Sequence, residues 1–197
     1  DEEDEVAHHV AIKIFRTSTN EYKGRRAYVR GDHRFRHQKV PRRNQRRLVK
    51  MWARKEFANL VKIHRCGIPC PRPRLLRGTI LVMDFVGRDG KEPLAAPNLR
   101  EFAARRKKGG KLWKKLYVQA VTLLHALYHA AHLVHGDLSE YNVLVHDHTL
   151  VVIDVAQAVL NDHPEADNFL RADVAALNAF FRKQRTPTLT DEQLVAL

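Results

Sequence analysis

The stretch HGDLSEYNVLVHDHTLVVID, His135 to Asp154, decides how this chain is read. It sets Asp137 five residues before Asn142, and Asp154 twelve residues beyond that asparagine. Val143 to Val145 and Leu150 to Ile153 read as two short strands turning at Asp147-His148. The apolar run Thr149 to Ile153 leads straight into Asp154, which predicts a carboxylate at the end of a buried strand. A carboxylate there is costly unless something compensates its charge.

A metal ion is one such compensation. Mg²⁺ prefers hard oxygen donors and takes one or two carboxylates alongside phosphate oxygens. Asn142 and Asp154 supply one amide and one carboxylate oxygen, so they read as ligands for Mg²⁺, with Mn²⁺ as an alternative. Asp137 on the same loop could accept a proton from a hydroxyl, help worth ~10²–10⁴-fold. Phosphoryl transfer from ATP requires metal ligands of this kind, a group that orients or deprotonates the nucleophile, and neutralisation of the triphosphate charge. Two residues upstream extend the set. Lys13, in Val10-Ala-Ile-Lys13, fits a strand lysine that sets an ammonium against the nucleotide phosphates. Glu56, in Trp52-Ala-Arg-Lys-Glu56, lies on the next helix and could hold Lys13 by an ion pair.

Outward from this centre the periodicities give an element order. Val10 to Phe15 is a β-branched strand, and residues 16–47 form a long basic loop. Leu48 to Ile63 is an amphipathic helix stopped by Gly67 and Pro69. Arg74 to Leu76 and Ile80 to Val86 make a hairpin, and Gly87 to Gly90 is a linker. Leu112 to Leu133 is a central helix, Glu165 to Phe181 another, and Thr190 with Gln193 caps a last one. The expectation is a two-lobed α+β architecture divided into 1–86 and 87–197, with the cleft at the linker. The first lobe is thin, with one sheet edge open beside Val10 to Phe15.

The 197 residues carry 35 Lys+Arg against 22 Asp+Glu, a formal charge of +13 that is unevenly spread. From Lys23 to Lys55 there are fourteen Lys/Arg and one acid, Asp32, and seven more cations lie between Arg105 and Lys115. This asymmetry points to a polyanionic partner, RNA first, through residues 23–55; the plain alternative is a solvated basic loop. No 18-residue apolar run is present, which excludes a membrane-spanning helix. Cys66 and Cys70 form a lone CxxxC, a poor zinc signature better read as two reduced thiols of a cytoplasmic protein. His125 and His129 have helical ligand spacing without a third ligand, so a structural role is the better reading. His135 is expected to orient the loop that follows it through a backbone hydrogen bond, and His163 to do similar work before Pro164. The chain opens on an acidic run without Met or a signal peptide, and is expected to continue upstream.

Leu133-Val-His-Gly-Asp-Leu-Ser-Glu-Tyr-Asn142, Val152-Ile-Asp-Val-Ala-Gln157, Asp162-His-Pro164 and Phe169-Leu-Arg-Ala-Asp173 resemble the RIO family of atypical serine/threonine protein kinases, first subfamily. Trp52 to Glu56, Ile68-Pro-Cys-Pro71 and Leu81-Val-Met-Asp-Phe85 fit the same pattern. The resemblance implies a protein-kinase-like fold with Lys13 and Glu56 as the phosphate-binding pair. It implies Asp137 as catalytic aspartate, Asn142 and Asp154 as metal ligands, and Asp154 as acceptor of a phosphoryl group. Met83 would line the adenine pocket, the backbone of Asp84 and Val86 would contact adenine, and Leu144 would lie beneath the ring. A role in maturation of the pre-ribosomal small subunit is implied likewise. Nothing in Asp1 to His9 resembles the family's glycine-containing phosphate loop, so the small lobe is expected to be incomplete at its start. Two rivals stay open: an RNA- or ribosome-binding pseudokinase, and a small-molecule phosphotransferase of the aminoglycoside type. The basic stretch and Val155-Ala-Gln157 weigh against the second.

Overall fold

The computed structural model describes residues 9–16 and 45–197. Strand β1 (Val10–Ile14) alternates, with Ala11 and Lys13 turned inward and Val10, Ile12 and Ile14 outward. It pairs antiparallel with β3 (Ile80–Asp84), which also takes β2 (Pro73–Arg77), in the order β1-β3-β2. Among the described residues β1 is therefore an edge strand.

Helix α1 (Gln45–Arg65) packs behind this sheet. It holds no glycine or proline, and Leu48, Val49, Trp52, Ala53, Leu60 and Ile63 give it one buried face. Gly67, at φ +70°, ends it, with Ile68 N–H returning to the Ile63 carbonyl at 3.2 Å. The helix begins three residues before the expected loop boundary; residues 17–44 of that loop lie outside the described residues.

The expected linker contains paired backbone. Strand β4 (Gly87–Arg88) pairs with β5 (Leu94–Ala95), and a Cβ on Gly87 would sit 2.3 Å from the Leu94 carbonyl oxygen. That approach requires glycine. Helix α2 (Leu99–Ala104), capped by an Asn98–Glu101 capping box, follows.

Helix α3 (Lys111–His129) is the centre of the second half, burying Trp113, Leu116, Tyr117, Ala120, Leu123, Leu124 and Leu127. It stops four residues short of the expected Leu133. His132 takes φ +48°, and the chain turns into β6 (Leu133–Val134), which pairs with β9 (Val159–Leu160). Helix α4 (Ala166–Lys183) stacks Phe180 and Phe181 edge-on against Trp113 at 6.1 and 6.4 Å between ring centroids. Helix α5 (Asp191–Val195) starts at the Thr190–Gln193 capping box.

Strands β7 (Val143–His146) and β8 (Thr149–Val152) form the hairpin that carries the site. Its turn residues Asp147 and His148 have φ of +47° and +62°, the left-handed pair of a two-residue hairpin. The register sets Val143 opposite Val152, so Asn142 and Ile153 emerge side by side, with Ile153 N–H on the Asn142 carbonyl at 3.0 Å.

Candidate active site

The expectation of a buried Asp154 is corrected here. Strand β8 ends at Val152, and Asp154 takes φ +54°, which swings its side chain out to 48% exposure. Its charge is met by Lys13, whose Nζ lies 2.7 Å from Asp154 Oδ1. The same ammonium lies 2.9 Å from Glu56 Oε1 and 2.8 Å from Oε2, with Oε1 the oxygen in hydrogen-bond geometry.

The two ends of the Lys13–Glu56 pair differ in burial. Glu56 is 1% exposed and Lys13 31%. Burial pushes the Glu56 carboxyl up to about 7, against the pull of Lys13 and with the help of Asp154. Burial alone would lower Lys13, but Glu56 and Asp154 outweigh it and hold the ammonium above its ordinary range. We therefore read the cost of burial as falling on the carboxyl.

Lys13, Glu56 and Asp154 line a cavity of about 360 Å³. Met83, Asp84, Val86 and Leu144 line it too, with Ala11 and Ile153 among the other apolar walls. Its size lies within the roughly 300–1,000 Å³ common to small-molecule sites. The Asp84 side chain turns away to Arg74, and its N–H is held by the Arg72 carbonyl at 2.9 Å. The Val86 carbonyl accepts from Ala96 N–H, also at 2.9 Å.

Asp137 and Asn142 are not among the cavity-lining residues. Asn142 Nδ2 donates to the Asp137 carbonyl at 2.8 Å and approaches Asp137 Oδ2 at 3.4 Å. Backbone pairing to Ile153 joins this loop to the strand end before Asp154. His135 makes the backbone contact expected of it, with Nε2 3.1 Å from the Ile153 carbonyl oxygen. His163 Nδ1 accepts from Glu165 N–H at 3.1 Å.

The residue whose part sequence reasoning missed is Asp173. It is buried on α4, and its two oxygens accept from Gly136 N–H and Leu138 N–H, each at 2.8 Å. These amides flank Asp137, so Asp173 clamps the loop from below. Burial raises its pKa, opposed by His135 and by the two amides. The available signal was an acid within the apolar face Phe169, Leu170, Val174 and Leu177.

Cys66 is exposed and Cys70 half-buried, with burial pushing the Cys70 thiol up to about 12. Among the described residues no group of three His, Cys, Asp or Glu side chains could hold a metal ion. Hard oxygens in small number, such as Asp154 and Asn142 carry, suit Mg²⁺ completed by phosphate oxygens rather than an all-protein metal cage.

An apolar cavity lined by an ammonium and two carboxylates, set beneath a small sheet and above a helical half, has the layout of a protein-kinase-like fold. Comparison with known proteins agrees. The Rio2 kinase–ADP/Mg²⁺–phosphoaspartate complex from Chaetomium thermophilum aligns with a TM-score of 0.59 at 24% identity, covering 82% of this chain and 49% of that one. The RIO domain matches residues 1–194. Serine/threonine-protein kinase rio1 of Dictyostelium discoideum is 42% identical over 184 residues, 93% of this chain and 31% of the relative. Human serine/threonine-protein kinase RIO1 is 41% identical over the same length, again 93% and 31%. The chain belongs to the RIO-domain family. It spans less than a third of the length of these relatives.

Proposed function

We propose that this chain is the catalytic domain of a RIO-type serine/threonine kinase, transferring the γ-phosphoryl group of ATP. The observation that carries the reading is Lys13 held between buried Glu56 and exposed Asp154 in the wall of a largely apolar cavity. The cleft divides 1–86 from 87–197. Adenine lies between Ala11 and Leu144, beside Met83. With the Asp84 N–H engaged elsewhere, the backbone contacts to adenine are the Asp84 carbonyl and the Val86 N–H.

Lys13 releases Asp154 and turns to the phosphates. Asn142, its nitrogen committed to Asp137, offers its amide oxygen to Mg²⁺ together with Asp154. The metal supplies neutralisation of the phosphate charge. Asp137 orients or deprotonates the acceptor hydroxyl. In an ATPase or autophosphorylation cycle Asp154 is itself the acceptor: its oxygen bonds to the γ-phosphorus, ADP leaves, and water later cleaves the acyl phosphate.

The full protein's partner on this reading is RNA of the pre-ribosomal small subunit in the cytoplasm. Support for it is the charge of residues 23–55, of which Arg46, Arg47, Lys50 and Arg54 are exposed on α1. No described helix is long and apolar enough to cross a membrane.

The test is incubation with Mg²⁺ and γ-labelled ATP beside Asp154→Asn and Asp137→Ala. Hydroxylamine-labile label that disappears in Asp154→Asn supports the acyl-phosphate route. Neither label nor ATP turnover would refute the kinase reading in favour of a pseudokinase.

A further inference from the structure

Helix α1 reaches the segment after Asp154 by more than the Glu56–Lys13 contact. Lys55 is fully buried, lies 5.2 Å over the Trp52 ring, and donates to the Gln157 carbonyl at 3.1 Å. One turn on, buried Asn59 donates to the Val155 carbonyl at 2.8 Å and the Ala158 carbonyl at 3.1 Å. Three carbonyls of the 155–158 turn thus take donors from one face of one helix. Burying an ammonium is expensive unless it is well used. Here one of its donors locates the main chain of Gln157.

With its main chain held, Gln157 aims its side chain back at the catalytic loop. Gln157 Nε2 lies 3.4 Å from Asp137 Oδ2. Among the described residues Asp137 is the one hydrogen-bond partner of that side-chain amide. Asn142 Nδ2 approaches the same oxygen at 3.4 Å, so two amides from separate segments converge on Oδ2. Both contacts are long, as catalytic hydrogen bonds often are before substrate arrives.

We propose that Gln157 is a positioning residue. Its amide dedicates Asp137 Oδ2 to orientation and leaves Oδ1 for the reacting hydroxyl, while its main chain relays the placement of α1, and hence of Glu56, to the catalytic loop. The inference rests on the phosphoryl-transfer reading.

The experiment compares the full chain with Gln157→Met, which keeps side-chain length without a donor, and Gln157→Glu, which adds a second carboxylate. Steady-state turnover, KM for Mg·ATP and thermal stability are measured together. Misplacing a catalytic group by an ångström costs about 10²-fold, so kcat should fall by about tenfold or more in Gln157→Met and further in Gln157→Glu. KM should stay within about twofold, since the amide acts on the base and not on nucleotide binding. An unchanged kcat, or kcat and KM moving together with a lowered Tm, overturns the assignment.

A second readout is independent of turnover. In ¹⁵N-labelled protein the Gln157 side-chain amide signals should move in Asp137→Ala and stay put in Glu192→Ala. Signals unmoved by Asp137→Ala overturn the contact itself. A wild-type chain that shows the amide shift but no turnover would instead refute the kinase reading and, with it, a role for Gln157 in transfer.

Discussion

Asp173→Ala is the most informative single substitution. It removes a buried carboxylate whose two 2.8 Å bonds hold the Gly136 and Leu138 amides on either side of Asp137. A hydrogen bond to a charged group contributes about 1.5–3 kcal/mol, and a buried donor left unmade costs about 1–3 kcal/mol. Two such amides would suggest a larger loss. Against it stands the burial cost that keeps Asp173 above the usual carboxylate range, which the alanine removes. The net is about 3 kcal/mol. For a domain of this size 1 kcal/mol moves Tm by about 2–4 °C, so thermal unfolding by circular dichroism should show a drop of about 6–12 °C. Asp173→Asn keeps an acceptor for one amide and turns its own N–H toward the other, so its loss should be about half. Turnover should fall by about 10²-fold in the alanine variant, because the loop carrying Asp137 loses its anchor. A Tm within about 2 °C of wild type would refute the clamp: the two amides would then have found other acceptors at no cost.

Glu56 has a pKa of about 7 in the folded chain against an ordinary 4.5, so the native state keeps a proton that the unfolded state releases. Its contribution is fully present below pH 4.5 and is lost as pH rises through about 7, by at most about 3 kcal/mol. Glu56→Gln should flatten this dependence in denaturant titrations across that window; parallel profiles would refute the assignment. At the hairpin turn, His148 takes φ +62° at a conformational cost that glycine does not bear. Its carbonyl, which accepts from Gln119 Nε2, survives substitution. His148→Gly should therefore raise Tm by about 2–4 °C, corresponding to about 1 kcal/mol; a lowered Tm would mean that the imidazole contributes more than the strain.

Much of the fold was legible because its long elements carry strong periodicity. The buried faces of α1, α3 and α4 repeat at helical spacing, and Thr190 with Gln193 announces α5. The short pairings β4–β5 and β6–β9 were not legible, since two residues hold no period. Leu133 and Val134 extended the apolar pattern of α3, and nothing in the composition marked the turn at His132. The 5-and-12 spacing of Asp137, Asn142 and Asp154 singled out the hairpin on which the Asp137–Asn142 contact and the strand end before Asp154 meet. Burial of Asp154 was the wrong expectation, because an apolar run does not reveal a change of backbone hand one residue past its end. The clamp from Asp173 and the reach of Lys55 and Asn59 were hidden for a different reason. Their partners are backbone atoms 35 to 102 positions away, and backbone leaves no trace in a side-chain pattern.

On the proposed reading, an ammonium shared by two carboxylates also acts as a gatekeeper against the wrong visitor. A lone divalent cation approaching Asp154 has to compete with the Lys13 ammonium 2.7 Å from Oδ1. A lone polyanion must likewise draw Lys13 away from Asp154. When the two arrive as one complex, each removes the obstacle met by the other: the phosphates take the lysine and the cation takes the aspartate. On the proposed reading the pocket thereby works as a coincidence detector, favouring the metal–nucleotide complex over either part without a side chain reserved for the purpose.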